Sequence, residues 1–445
     1  MSDTSPDPID HASTLSRLIA THTARLTIIG QGYVGLPLAV EFAKAGFPVT
    51  GLDTDLDRVT ALATGRSHVP DVPSEELQAL LKAGQYRATA DAAVLANSDV
   101  IVICVPTPLG KSKDPDISYV ITASKEAASR FHPGQLIVLE STTYPGTTEE
   151  LLLPLFQANG GTIGEDLFLA FSPERIDPGN AAFKVGDIPK VVGGVTPACS
   201  RMAAGLYGEI VPRVHEVSTP KVAELAKLYE NVFRNVNIAL ANEFSVMCRY
   251  LGVDSREVID AAATKPFGFM PFYPGPGIGG HCIPVDPLYL SWKMRLNGYQ
   301  ARFISLADDI NHSMPGHVLS LVGEALNDSG LAFKGARILV LGVAYKRGIG
   351  DTRESPAFEI IAALRRKGAE VSYADPHVPA LWVDGAPIKA VDVTKPELES
   401  ADCVLVLTDH PEFDYAAVAQ HGRLIVDTRH RVPSLTHGRG RLVRL

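Results

Sequence analysis

From Arg25 onward the chain alternates short β-branched runs with amphipathic stretches, and no other feature restricts its folding so strongly. The runs are Leu26 to Gly30, Val49 to Asp53, Val100 to Pro106, Leu136 to Ser141, Leu167 to Ser172 and Lys190 to Gly193. Strands separated by helix-length amphipathic segments predict a parallel α/β sheet, doubly wound with helices on both faces. At 445 residues the chain exceeds one ordinary hydrophobic core, so two or three domains are expected.

The alternation stops at Thr219. Pro220 suits the first position of a helix capped by that threonine, and residues 221 to 251 contain neither Gly nor Pro before Gly252 offers a stop. Such a helix runs on the order of 40 Å and reads as a spine between domains. Val222, Leu225, Leu228, Tyr229, Val232, Phe233, Val236, Ile238 and Leu240 make it apolar over most of its circumference, which predicts a largely buried element and hints at a dimer built around it. Lys227, Asn231, Arg234 and Asn235 recur at helical spacing on one face, and a polar stripe on a buried helix needs partners, such as a substrate pocket.

A second alternating region opens near Arg337. Arg337 to Gly342 repeats the apolar pattern of Arg25 to Gly30, and Val371 to Asp375 repeats that of Val49 to Asp53. The expected fold is therefore two Rossmann-like, doubly wound α/β domains joined by a long central helix. Its divisions are an amino-terminal extension (1–24), a first α/β domain (25–218), a central helical and dimerisation region (219–325) and a second α/β domain (326–445).

Bulk properties exclude several classes. The formal net charge is −9 with Lys and Arg scattered, so the electrostatic footprint of a nucleic-acid binder is missing. Residues 1–25 carry Asp3, Asp7 and Asp10 and fit neither a secretory signal nor a transit peptide, and no segment is long and apolar enough to span a bilayer. The cysteines Cys104, Cys199, Cys248, Cys282 and Cys403 are odd in number and contain no CxxC pair. That argues against a disulfide framework and against a metal site, and favours a reducing cytoplasm.

Gly30-Gln-Gly32-Tyr33-Val34-Gly35 follows the first strand and leads into a helical stretch. Gly30 permits the tight turn, Gly32 lets the backbone reach a diphosphate, and Gly35 lets helix and strand pack closely while the helix N-terminus faces the anion. Asp53 ends the next strand at the spacing of a carboxylate that accepts bonds from adenosine ribose hydroxyls. It would repel a 2′-phosphate, so NAD is expected rather than NADP. Arg58 falls in the following helix and is expected mainly at the surface. The second region has Ala344, Tyr345 and Lys346 where the first has its closely spaced glycines, so it is expected to hold a different anion.

The stretch from Phe272 to Pro287 places Tyr273 and four glycines, Gly275, Gly277, Gly279 and Gly280, ahead of Cys282 and Asp286. A backbone-rich loop suits a phosphate or sugar. A thiol just before a helix N-terminus ionises more readily, which makes Cys282 a candidate nucleophile rather than a small buried side chain. Asp286 suits a helix N-cap whether or not it has a chemical role. Glu140-Ser-Thr142 and Ser172-Pro-Glu174-Arg175 follow two strands, at the edge where α/β sheets place ligands. Thiol, acid, lysine and hydroxyl together form a constellation for acyl chemistry.

From Arg25 to about Arg431 these pieces resemble the family of UDP-glucose and GDP-mannose dehydrogenases. The resemblance is carried by the Gly30 to Gly35 fingerprint, Val105-Pro106-Thr107-Pro108, Ser141-Thr142, Ser172-Pro-Glu174, Lys227 with Asn231, Gly279-Gly-His-Cys282 with Asp286, and Asp351-Thr-Arg353-Glu-Ser-Pro356. It implies an NAD-dependent, four-electron oxidation of a sugar C6 alcohol to the acid, through a thiohemiacetal and a thioester on Cys282. It implies that Asp286 and Lys227 manage protons and the oxyanion, that Thr142 orients a water, that Glu174 assists thioester hydrolysis, and that Asn231 binds the sugar. Tyr33, Val34, Arg58, Pro106, Thr107 and Thr142 are expected to line the cofactor. Glu174, Arg175, Lys227, Arg234, Tyr273, Gly277 and Gly279 are expected around the sugar, with Lys346 and Arg353 on its uridine diphosphate.

Within the family the chain is more similar to the UDP-N-acetylglucosamine 6-dehydrogenase branch, through His281 and Pro284, Asp286 to Trp292, Arg175 to Asn180 and Asn237 to Glu243. UDP-glucose and UDP-N-acetylmannosamine are the alternative substrates. Lys265-Pro-Phe-Gly268 stands where many glucose-type members have an arginine. A two-electron hydroxy-acid dehydrogenase shares the first domain and the Lys/Asn helix but needs neither Cys282 nor a second α/β domain. A non-catalytic NAD-binding protein has no reason to gather thiol, acid and lysine.

Overall fold

A computed structural model describes residues 10–110, 114–175, 185–434 and 440–445. It divides into two compact units. The first runs to Glu230 and adds Leu288–Asn297; the second comprises Asn231–Pro287 and Gly298–Leu445.

The first unit holds an eight-stranded sheet: β1 (Leu26–Ile29), β2 (Val49–Leu52), β3 (Tyr86–Thr89), β4 (Val100–Ile103), β5 (Gln135–Leu139), β6 (Leu167–Phe171), β7 (Lys190–Gly194) and β8 (Val214–Val217). Their order is β3-β2-β1-β4-β5-β6-β7-β8, so the chain reverses its winding between β1 and β4. All six expected strands are present. The two unexpected ones, β3 and β8, lie at the sheet edges and are partly exposed, so they lack a continuous apolar run. Burial alternates along β4 with the period of a pleated strand: Val100 and Val102 enter the core that contains Phe42 and Tyr207, and Ile101 and Ile103 the one that contains Phe156. Full burial of each such aromatic contributes roughly 1.5–3 kcal/mol.

Two strands depart from the expected parallel sheet, since β8 pairs parallel with β7 and shares its direction. β7 is antiparallel to β6, with Ala170 opposite Gly194 and Phe171 opposite Gly193. A parallel return needs a crossover, usually a helix. Among the described residues between β6 and β7 only a short 3-10 turn, Val185–Asp187, lies on the way.

The second unit contains β9 (Arg337–Leu341), β10 (Glu370–Ala374), a hairpin of β11 (Ala380–Val383) and β12 (Ala386–Lys389), then β13 (Cys403–Val406), β14 (Leu424–Asp427) and β15 (Arg441–Arg444). The main sheet is parallel throughout, in the order β10-β9-β13-β14-β15. The hairpin turns at Asp384-Gly385, where both residues take positive φ, as the two-residue hairpin turn that matches strand twist requires.

The long helix Pro220–Leu251 forms as expected over 32 residues and carries the chain from the first unit into the second. Its burial follows the expectation only in part: Leu228 is buried and Val232, Val236 and Ile238 are half-buried, but the other apolar residues named above are not covered. Val222, Leu225, Tyr229, Phe233 and Leu240 are exposed, while Glu224, Lys227, Asn231, Asn235, Asn242 and Ser245 are buried. Arg234 is exposed too, so the expected polar stripe narrows to Lys227, Asn231 and Asn235. The buried polar side persists because it is bonded. Within the first unit Glu224 accepts from the backbone N–H of Gly146 at 2.5 Å and from Thr148 N and Oγ1. Within the second, Asn242 donates to Asn311 Oδ1 at 2.9 Å and accepts from Gly275 N at 2.9 Å.

Candidate active site

The turn after β1 is shaped for close backbone contact. Gly30 has φ +91°, and a Cβ there would lie 2.5 Å from the Cys104 carbonyl oxygen. A Cβ on Gly35 would fall 1.8 Å from the Gly30 oxygen, so the helix Gly35–Lys44 meets the strand only because both positions lack side chains. A Cβ at Gly32 would meet nothing within 4 Å, which leaves the space a diphosphate needs. Val34 stands at the helix N-cap and Tyr33 is 38% exposed.

Asp53 is buried at the end of β2 and accepts from Gln31 N at 2.8 Å, Asp55 N at 3.0 Å and Arg58 Nη1 at 2.9 Å. Arg58 therefore does more than sit on the surface. The helix Leu56–Ala63 starts directly beyond Asp53 and folds the guanidinium back onto it. Acid, glycine turn and helix N-terminus fit the ribose and diphosphate of NAD. Pro106 and Thr107 follow β4, at the winding reversal, and the carbonyls of Thr107 and Pro108 accept from the Tyr289 hydroxyl at 3.0 and 3.2 Å.

Further along the same sheet edge, Ser141 donates to the Val105 carbonyl at 2.8 Å, and Thr142 beside it is half-buried. Glu174, beyond β6, is buried. Its Oε1 accepts from Arg175 N at 2.6 Å and its Oε2 from Lys190 Nζ at 3.1 Å. The Arg175 guanidinium is turned to Glu230 at 2.7 Å and to the Pro189 carbonyl at 2.9 Å. Residues 176–180 of the Arg175 to Asn180 motif lie outside the described residues. Lys190 escaped the sequence reading; its only signal was a charge at the start of an otherwise apolar run. Lys227 is buried on the long helix and belongs to the first unit.

In the second unit Cys282 is half-buried, and its carbonyl accepts from Asp286 N at 2.8 Å. Asp286 is the first residue of the helix Asp286–Leu296 rather than the cap before it, and its Oδ2 accepts from Asn231 Nδ2 at 2.5 Å. Asn235, one turn along, donates to the Ile283 carbonyl at 3.1 Å.

The cysteine loop also meets residues distant in sequence. Gly280 N donates to the Arg353 carbonyl at 2.9 Å. Cβ atoms on Gly279 and Gly280 would stand 2.6 and 2.9 Å from the Tyr345 side chain, so glycine is required there. Lys346, half-buried, thus follows a residue in contact with this loop. The exposed Arg353 forms a fork with the Asp351 carboxylate, its closest contact 2.6 Å. A cleft of 390 Å³ is lined by Asn235, Gly277, Ile278, Pro284, Asn311 and Ser355, among others. Gly277 has φ +129°. The Tyr273 hydroxyl donates to Asp260 at 2.7 Å and the Arg256 guanidinium lies 4.1 Å over its ring.

Asp375 occupies in the second sheet the place that Asp53 has in the first, but it is spent on structure. It accepts from Val343 N at 2.7 Å, Ala344 N at 3.1 Å, His377 N at 2.9 Å and His410 Nε2 at 3.0 Å. Four donors leave it little capacity for ribose hydroxyls. His377, His410 and Glu412 come close enough to share a cation, but Nδ1 of His410 already accepts from Gly348 N at 3.1 Å and Nε2 bonds Asp375.

A dinucleotide turn in one α/β unit, with a thiol-bearing glycine loop and a second α/β sheet in the other, defines an NAD-dependent dehydrogenase of nucleotide-linked sugars. Residues 24–211 match the NAD binding domain of the UDP-glucose/GDP-mannose dehydrogenase family, 221–313 its central domain and 339–433 its UDP binding domain, and the chain belongs to that family. It is 37% identical over 358 residues to a UDP-N-acetyl-D-glucosamine 6-dehydrogenase of Pseudomonas aeruginosa, covering 80% of this chain and 83% of that one. It is 36% identical to a UDP-N-acetyl-D-mannosamine dehydrogenase of Pyrococcus horikoshii, covering 87% and 90%. A solved structure of UDP-D-ManNAc dehydrogenase from Pyrococcus horikoshii superposes with a TM-score of 0.85 at 33% identity, covering 94% of this chain and 99% of that one. The chain is an NAD-dependent oxidoreductase acting on a UDP-sugar. No helix among the described residues is long and apolar enough to cross a membrane.

Proposed function

We propose that this enzyme oxidises C6 of UDP-N-acetylglucosamine to the uronic acid in two successive two-electron steps, with the half-oxidised sugar held on Cys282. The observation that carries this reading is the Asn231–Asp286 pair, one turn beyond Cys282 and next to a loop whose Gly279 and Gly280 leave no room for side chains. The acetamido sugar follows from the similarity to the Pseudomonas aeruginosa relative. UDP-N-acetylmannosamine and UDP-glucose are the competing substrates.

Bound NAD supplies the hydride acceptor for both oxidations. The Cys282 sulfur adds to the aldehyde carbon to give a thiohemiacetal, whose oxidation leaves a thioester. Asp286, oriented by Asn231, exchanges the proton of the reacting oxygen, and Lys227 stabilises negative charge developing on it. Thr142 orients the water and Glu174 takes its proton as the acid is released. Lys346 and Arg353 hold the diphosphate, Arg353 by exchanging Asp351 for phosphate oxygens. Arg175, Gly277 and Gly279 border the sugar, with Arg234 and Tyr273 at its outer side. The exposed apolar side of the long helix supports a homodimer, and five free cysteines support the reducing cytoplasm.

The test is incubation with NAD and each of the three UDP-sugars, following reduced cofactor and products. The expected result is the highest kcat/KM on UDP-N-acetylglucosamine, about two NADH per sugar and no free aldehyde, the stoichiometry of covalent catalysis through both steps. One NADH per sugar with aldehyde released would reject the Cys282 route.

A further inference from the structure

Among the described residues, Lys190 is the one buried cation at the carboxyl edge of the first sheet to which the proposed chemistry gives no task. Its position follows from strand direction. Because β7 is antiparallel to β6, with Ala170 opposite Gly194, the same register continued outward brings Lys190 across from Glu174. Nζ lies 3.1 Å from Glu174 Oε2 and 2.9 Å from Glu140 Oε1, and 5.1 Å from the centroid of the Tyr207 ring. The Tyr207 hydroxyl donates to Glu140 Oε1 at 2.5 Å, and Cys104 Sγ stands 3.9 Å from Glu140 Oε2.

Five elements thus face one another here: Cys104 beyond β4, Glu140 beyond β5, Glu174 beyond β6, Lys190 opening β7, and Tyr207 on the helix Pro197–Gly208. With both carboxylates ionised the cluster holds two negative charges and one positive. Burial drives Glu140, the Cys104 thiol and the Tyr207 hydroxyl up. Burial also works against Lys190, yet Glu140 and Glu174 hold it above its ordinary value. A buried ion group of this kind contributes little net stability, since apolar residues of equal volume fold as well or better. Its use is then to control a carboxylate. Glu174 is pinned on both oxygens, by Arg175 N and by Lys190, while the Arg175 guanidinium is committed to Glu230.

We propose that Lys190 is a positioning residue for release of the acid from Cys282: it fixes the orientation of the Glu174 carboxylate, and Glu140 tunes that grip by competing for the same ammonium. The proposal rests on the role given to Glu174 above. In the step concerned, a water oxygen bonds to the acyl carbon, its proton passes to Glu174, the carbon–sulfur bond breaks, and Cys282 leaves as the thiolate. Removing Lys190 leaves two buried carboxylates facing each other, and one of them takes up a proton at higher pH.

The experiment uses the full chain with NAD and UDP-N-acetylglucosamine, or whichever of the three sugars is oxidised fastest, in rapid-mixing and quenched samples. Lys190→Gln is expected to form NADH in an initial burst at the wild-type rate, to turn over roughly 10- to 100-fold more slowly, and to accumulate sugar mass on Cys282. The acid limb of its turnover profile moves up by about one pH unit, and that of Glu140→Gln moves down, because Lys190 then serves Glu174 alone. Lys190→Arg recovers most of the turnover. A merely structural role cannot move the two limbs in opposite directions. Burst and turnover falling together in Lys190→Gln, or neither changing, overturns the proposal. Should Lys190→Gln fail to fold, Glu140→Gln decides: a downward shift supports the proposal and an unmoved limb overturns it. Wild-type turnover with no adduct trapped on Cys282 overturns the covalent reading and this proposal with it. An adduct in the wild type beside an unaltered Lys190→Gln overturns this proposal alone.

Discussion

Asn231 Nδ2 stands 2.5 Å from Asp286 Oδ2, tying the long helix to the turn that follows Cys282. Both side chains are buried, at 4% and 3% exposure, so the bond to a charged acceptor is desolvated and strong. Asn231→Ala leaves a buried carboxylate short of a donor and is expected to cost about 1–3 kcal/mol of stability. Asp286→Asn keeps the packing but lowers kcat by roughly 100-fold or more, with a smaller change in KM. Thermal unfolding and steady-state kinetics check both. Unchanged kcat in Asp286→Asn would remove the acid from the mechanism.

Gly35 admits no side chain, since its Cβ would lie 1.8 Å from the Gly30 oxygen. Gly35→Ala must push the helix Gly35–Lys44 away from β1, at about 1–3 kcal/mol. The expected readout is a lower Tm and a higher KM for NAD, with KM for the sugar nearly constant. Gly32→Ala, where the space is open, is expected to preserve Tm and to weaken NAD binding alone.

Asp53 and Arg58 form an ion pair 2.9 Å long at the ribose end of the turn. With Asp53→Asn, the negative charge is lost and Arg58 becomes available to a 2′-phosphate. Selectivity for NAD over NADP is expected to fall at least tenfold, about 1.4 kcal/mol. Equal kcat/KM ratios in variant and wild type would show that Asp53 does not set the preference.

Asp375 gives the second unit an acid limit. Burial pushes its carboxyl up, but the bond from His410 and those from Val343, His377 and Ala344 N–H outweigh burial and hold it below its usual range. A depressed carboxyl contributes stability above its unfolded value, near 3.9, and loses that contribution as pH falls through the folded value. Tm is expected to drop below about pH 4, and Asp375→Asn to show a lower Tm at pH 7 with a shallower fall on acidification. Parallel acid profiles would place the limit elsewhere.

The exposed apolar residues of the long helix, with Tyr229 at 71% and Leu240 at 60%, are the surface on which the proposed homodimer would form. Light scattering is expected to give a dimer for the wild type and a shift to monomer, at least tenfold weaker in Kd, for Leu240→Glu, since a buried charge at an apolar interface is costly. A monomeric wild type would refute the dimer.

Much of the molecule is legible without the fold. The six apolar runs became strands at the expected places, because burial on both faces of a parallel sheet writes a continuous local pattern. The Gly30 to Gly35 turn was readable because its glycine spacing is itself a local signal, with Gly35 answering a clash against Gly30 only five residues back. The glycine loop before Cys282 was likewise visible, but that its glycines pack against Tyr345 and Glu354 was not, since those partners lie about seventy residues away in sequence.

Local pattern, then, determined the number of α/β units, the dinucleotide turn, the long helix and the thiol loop. Tertiary structure alone decided three things: that β7 and β8 run against the other strands and bring Lys190 to Glu174, that Arg58 folds onto Asp53, and that the long helix buries Asn231, Asn235 and Asn242 while exposing Tyr229 and Phe233. Strand direction and helix facing depend on which distant surfaces compete for the same side chains. A sequence states the hydrophobicity of a residue, but only packing assigns the surface that covers it.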